Sequence, residues 1–98
     1  MIVDRRVFQV KQGRLEEVVE LLKAASEGFS TQAYRIYTPE VAEFDVVVIE
    51  WEYEDYQEMQ STIAAWVARL KTTDHWEKWG QVTAPGGRRE IWQLAAQR

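Results

Sequence analysis

The sequence predicts an α+β domain in the order strand, helix, strand, strand, helix, strand, and three observations carry that expectation. The first is FDVVVIEWEY, Phe44 to Tyr53, the densest run of β-branched and aromatic residues in the chain and about the length of a long central strand. The second is a pair of apolar stripes at three- and four-residue spacing, one from Leu15 to Ala25 and one from Tyr56 to Leu70. The third is the punctuation: turn residues separate these runs, and no repeat, low-complexity stretch or linker interrupts them. A βαββαβ order is the split βαβ, ferredoxin-like arrangement, an antiparallel sheet with both helices on one face.

Ile2 to Val10 reads as the first strand. Val3 and Val7 share one face with Arg5 and Gln9, while Ile2, Phe8 and Val10 share the other with Asp4 and Arg6, so both faces mix apolar and charged residues. Gln12-Gly13 breaks the strand and Arg14 opens a helix with Leu15, Val18, Val19, Leu22 and Ala25 on one face. Glu16 and Glu17 suit the positive end of its dipole, and Gly28 is its expected stop. Thr31 to Tyr37 is a short strand closed by Thr38-Pro39-Glu40. After the long strand, Asp55 and Glu58 have the spacing of a capping box, and Tyr56, Met59, Ile63, Trp66, Val67 and Leu70 follow as a stripe that reads as core. Asp74 and Glu77 repeat the capping signal ahead of a shorter helical stretch with Trp76 and Trp79 at i, i+3. Ala84-Pro85-Gly86-Gly87 is expected to end that stretch, and Arg88 to Leu94 to form the last strand.

Composition narrows the function classes. At 98 residues the chain is one domain, 1–98, and 46% hydrophobic residues with five tryptophans supply a compact core. The net charge of −4, with no basic block longer than Arg88-Arg89, argues against nucleic acid, which needs clustered Lys and Arg. Without cysteine there is no disulfide, no thiol catalysis and no zinc-cysteine site. MIVDRRVF carries charges where a signal peptide has its apolar region, and no stretch approaches the ~20 apolar residues of a membrane span. The expected setting is soluble and cytoplasmic, with no membrane partner.

Two helices cover only one face of a four-stranded sheet. The other face leaves either Trp51 and Tyr53, or Phe44, Val46 and Val48, without cover, and a second copy of the sheet is the simplest one. Two sheets face to face make a dimeric α/β barrel with a lumen whose walls suit mixed polar and apolar strands.

A few residues could carry chemistry. His75 is the only histidine, so a multi-histidine metal site is ruled out within one chain and no metal is expected; it reads either as a general acid or base or as a surface histidine near a helix start. Arg6 sits on a central strand, keeps its proton and must find an anion if buried. It is either an anchor for an anionic ligand, half of a structural pair with Asp4, Glu50 or Glu52, or a contact across the dimer. Tyr34, Trp51, Tyr53 and Trp92 could form an aromatic pocket or simply pack the core and a dimer contact. Gly86-Gly87 is a turn, with no phosphate-loop pattern around it, and no G-x-S-x-G nucleophile motif is present.

The opening IVDRRVFQVKQGRLEE, with Asp4, Arg6, Phe8 and Gly13, resembles the start of NIPSNAP-like domains, and VVVIEWEYED, with Trp51 and Tyr53, is similar to a strand of that family. The resemblance implies the dimeric α/β barrel shared with small cofactor-independent monooxygenases and haem-degrading enzymes. Ile49 stands where the family often has a polar residue or His, Phe8 where a Tyr is usual, and the chain has no Asn, so the Asn, Trp and His set of haem-degrading members is incomplete. The resulting expectation is a homodimer whose lumen holds a small aromatic or anionic molecule, without cofactor. Arg6 would orient it, Trp51 and Tyr53 would wall it, and His75 would move a proton. The alternative is an interaction module with a filled barrel.

Overall fold

The computed structural model describes residues 1–27 and 33–98, and its elements follow the expected order, the short helix before the last strand included. They are β1 (Ile2–Val10), α1 (Leu15–Glu27), β2 (Tyr34–Tyr37), β3 (Val46–Tyr53), α2 (Tyr56–Leu70), α3 (His75–Val82) and β4 (Thr83–Gln93). The four strands form one antiparallel sheet in the order β2-β3-β1-β4, the ferredoxin-like arrangement. Gly28 and the first residues of the expected Thr31 to Tyr37 strand lie outside the described residues.

Register decides which residues meet the helices. Ile2 pairs with Tyr53, Asp4 with Trp51, Arg6 with Ile49 and Phe8 with Val47, so these residues share one face of the central strand pair. That face lies under the helices: Val47 and Ile49 pack with Val10, Val18, Leu22 and Val82 in the main core cluster. A second cluster joins Ile2, Tyr53 and Met59 at the α2 end, and Trp51 touches both. Each fully buried aliphatic residue contributes roughly 1.5–3 kcal/mol, and α1 supplies more of them than α2, whose buried residues are Met59 and Leu70.

The capping box at α2 forms with a shift. Asp55 accepts from the backbone N–H of Glu58 at 2.9 Å, but the Glu58 carboxylate takes the N–H of Glu54, at 2.6 Å. At α3 the expected box does not form: Asp74 makes no side-chain cap bond, its carboxylate pairs with Lys78 at 3.2 Å, and the Thr73 hydroxyl takes the His75 N–H.

The last strand is longer than its turn-like sequence suggested. Ala84-Pro85-Gly86-Gly87 belongs to β4, because the pairing steps from Phe8–Gly87 to Gln9–Ala84 and leaves Pro85 and Gly86 in a bulge. Proline is tolerated there since it owes the ladder no N–H. Gly87 has φ +108°, and a Cβ at this position would lie 2.3 Å from the Val7 carbonyl oxygen, so only glycine fits.

The open face of the sheet carries Val3, Val7, Val46 and Val48 between charged side chains that pair among themselves. Arg5 reaches Glu90 at 3.0 Å and Glu50 at 3.6 Å, Arg35 pairs with Glu52, and the Tyr37 hydroxyl donates to Glu50 at 3.0 Å.

Candidate functional site

The seam between the two core clusters is where polar and aromatic groups collect under the helices. Asp4 is 0% exposed, and a buried carboxylate is tolerable only with full hydrogen bonding. It accepts four bonds: from Nε and Nη2 of Arg6 at 3.3 and 3.1 Å, and from Nε and Nη2 of Arg89 at 3.1 and 3.0 Å. Register makes this triad, since Arg6 and Arg89 are Cα partners on adjacent strands and Asp4 is two residues along on the same face.

Arg6 points between two indoles. Its guanidinium carbon lies 5.2 Å from the ring centre of Trp51 and 5.8 Å from that of Trp66 on α2, within cation–π range of both. Its Nη1 has no hydrogen-bond partner among the described residues. Trp51 is fixed from the other side by its indole N–H, which donates to the Ser26 hydroxyl at 2.9 Å, while that hydroxyl donates to the Leu22 carbonyl at 2.7 Å.

Rings then run in contact from strand to surface. Trp66 meets Trp51 at 6.0 Å and Trp76 at 5.8 Å, both edge-on; His75 stacks on Trp79 at 5.8 Å; and Trp79 meets Phe8 edge-on at 4.8 Å. Between them is a cavity of about 70 Å³ lined by Arg6, Phe8, Leu22, Trp51, Trp66, His75, Trp76 and Trp79. That is well below the ~300–1,000 Å³ of a pocket that engulfs a drug-sized ligand and about half the ~150 Å³ of a cavity that holds benzene, so a ring enters only if the helices move outward.

Burial holds the His75 imidazole below its ordinary value, partly offset by Asp74, so the ring is neutral at pH 7. A neutral imidazole on the cavity wall can accept a proton. His75 also lines an outer groove of about 220 Å³ with Arg69, Thr73, Asp74 and Lys78, which places it between the cavity and the surface. Beyond Asp4, burial first and the Asp4 charge second push the Tyr53 phenol up to about 12, so it stays protonated.

Arg6, Asp4, Trp51 and His75 thus come together, but not where a lumen between two sheets requires. The expected site lay on the open face; Arg6, Trp51 and Tyr53 instead face the helices because their register puts them on the side that holds Val47 and Ile49. Arg6 pairs with Asp4 and not with Glu50 or Glu52, which project from the opposite face. Tyr53 packs with Ile2 and Met59, away from the cavity lining. Tyr34 lies opposite Trp51 but donates its hydroxyl to Glu27 at 3.2 Å. Trp92 leaves the set altogether: it is opposite Val3 on the open face, 57% exposed, with its indole N–H on Glu90 at 3.0 Å. The lining gains Trp66, Trp76, Trp79 and Phe8, and the triad gains Arg89. Among the described residues no group of three or more His, Cys, Asp or Glu is placed to hold a metal ion, and no helix is long and apolar enough to cross a membrane.

No protein-family model matches the sequence, and no curated protein does. Solved structures do match. A NIPSNAP family protein of unknown function from Agrobacterium tumefaciens superposes with a TM-score of 0.79 at 12% identity, over 97% of this chain and 88% of that one. An uncharacterised NIPSNAP domain protein from Burkholderia xenovorans gives 0.66 at 22% identity, over 98% and 96%. A cofactor-independent oxygenase from Streptomyces nogalater gives 0.72 at 10% identity, over 98% and 94%. At these identities the likeness establishes a shared fold, that of NIPSNAP-like and monooxygenase-like ferredoxin-fold proteins.

Proposed function

We propose that the chain binds a small aromatic or enolisable anion in the cavity under its helices. The observation that carries this reading is the Arg6 guanidinium on the wall of a cavity lined also by Trp51, Trp66, Trp76 and Trp79, with only its Nε and Nη2 bonded to Asp4 among the described residues. An oxyanion on Nη1 would complete the guanidinium's bonding while the rings cover the flat body of the ligand. The built-in guanidinium already occupies the cation–π position over Trp51 and Trp66, which disfavours a cationic guest.

The reaction that fits is cofactor-independent monooxygenation, a reading supported by the fold shared with an oxygenase of that kind. The neutral His75 imidazole takes a proton from an acidic C–H or O–H of the ligand, and Arg6 stabilises the resulting oxyanion. The electron-rich anion reduces dioxygen and forms a C–O bond. The hydroperoxide so made loses water to leave a carbonyl, so a CH₂ and O₂ become C=O and H₂O. The open sheet face is then free for a second copy, giving the homodimer; sedimentation is expected at about twice 11.5 kDa.

The binding claim is tested by intrinsic tryptophan fluorescence, since four of the five indoles line the cavity. Titration with 4-nitrophenol should quench wild type saturably and leave Arg6→Met, which keeps the apolar stem, quenched only by collision. Equal saturable binding by both proteins would remove Arg6 from the site.

A further inference from the structure

Resting on that site, we infer that the Asp4–Arg6–Arg89 triad sets the charge of the ligand, and that Arg89, which lines no part of the cavity, is the residue that makes it a monoanion site. One carboxylate between two guanidinium groups leaves one positive charge in excess. A lone Asp4–Arg6 pair would be neutral and would offer an incoming anion a dipole only. Because Arg89 takes two of the four bonds on Asp4, the carboxylate is shared, and the Arg6 charge is only half compensated by its own partner. Arg6, which lines the cavity, carries the excess to its wall.

Two titratable groups packed against the triad are uncharged near neutral pH: Tyr53 stays a phenol, with its pKa pushed up to about 12, and His75 is neutral. A third, Glu58 on α2, acts on Tyr53 while its carboxylate accepts the Glu54 backbone N–H. Glu90 on β4 and Glu50 on β3 project from the opposite face and pair with Arg5. The geometry also explains why two arginines face each other in register on adjacent strands, a pairing of like charges that is unfavourable unless a buried anion lies between them.

The test uses a probe that reports its own charge. 4-Nitrophenol titrates near neutral pH and absorbs in the visible only as the phenolate; 4-nitroanisole has the same shape and cannot ionise. Wild type should bind the phenolate in preference to the anisole and lower the apparent pKa of the bound phenol. Arg89 is 45% exposed, so its charge is screened; at an effective dielectric near 40 and roughly 8 Å, its loss weakens phenolate binding by about fivefold. Arg89→Gln should show that loss and a smaller pKa displacement, with anisole binding unchanged, and Arg89→Lys should restore both. Equal affinity of wild type for both probes overturns the charge inference and leaves the binding site standing. So does an Arg89→Gln variant that loses both probes alike, or neither. Binding of neither probe to wild type removes the site itself.

Discussion

Replacing Asp4 by alanine is the severest single test of the triad. The carboxylate is fully buried, and without it two guanidinium groups face each other across adjacent strands. Removing one partner of a buried ion pair typically costs ~3–5 kcal/mol. Here the Arg89 side chain is 45% exposed and can turn into water, whereas the Arg6 side chain, at 17%, cannot, so the lower end applies: about 3 kcal/mol. For a domain of this size, where each kcal/mol shifts Tm by roughly 4–8 °C, that is a fall of about 12–24 °C. Urea and thermal melts of Asp4→Ala at low and high salt measure it, and added salt should recover part of the loss. Replacing the triad with apolar residues, Asp4→Leu with Arg6→Met and Arg89→Met, should return stability to near wild type, because a satisfied buried network and a packed apolar one are often equivalent. A change under about 0.5 kcal/mol in Asp4→Ala would refute the claim that this carboxylate holds the triad together.

Other outcomes follow from single features. Gly87→Ala, with φ +108° and a Cβ 2.3 Å from the Val7 carbonyl oxygen, should cost about 3 kcal/mol or fail to fold, whereas Gly80→Ala, with nothing within 4 Å on α3, should gain up to ~1 kcal/mol in the same melts. Because burial depresses the folded-state pKa of His75, the unfolded chain binds the proton more readily; its contribution is whole above about 6.5 and is lost as pH falls below that, at up to ~1.4 kcal/mol per unit. Urea melts between about pH 7.5 and 5 should flatten in His75→Phe, and an unchanged slope would assign the pH dependence elsewhere. Trp51→Phe removes the indole N–H on Ser26 and should cost about 1 kcal/mol, measured by chemical denaturation; a neutral result would mean that bond is not formed in solution.

Much of the fold was legible in the sequence because its signals are local. The alternation in Ile2 to Val10 and the stripe from Leu15 to Ala25 need only side-chain periodicity, and both elements form as read. The last strand was read short because Pro-Gly-Gly signals a turn, and the bulge that absorbs Pro85 and Gly86 exists only through pairing with Phe8 and Gln9. The site was legible in part. Arg6, Asp4 and His75 stood out as charged or titratable groups and Trp51 as an aromatic on a structured element, but which side of the sheet the strand residues face depends on where the helices pack. Trp66 was hidden within an ordinary apolar stripe: contact with Arg6 distinguishes it, and spacing cannot. Trp51 was read as part of an aromatic wall and lines the cavity, whereas Trp76 and Trp79 at i, i+3 were read only as part of a short helix. Arg89 gave no hint, since its place opposite Arg6 is a matter of register.

The central claim is that an anion sits beneath the helices on Arg6, and a crystal structure grown with saturating 4-nitrophenolate tests it most directly. The ring should lie among Trp66, Trp76 and Trp79 with its phenolate oxygen within hydrogen-bond distance of the Arg6 guanidinium, and α2 should have moved outward to widen the cavity. A ligand held on the open sheet face, or an empty cavity at saturation, would contradict it.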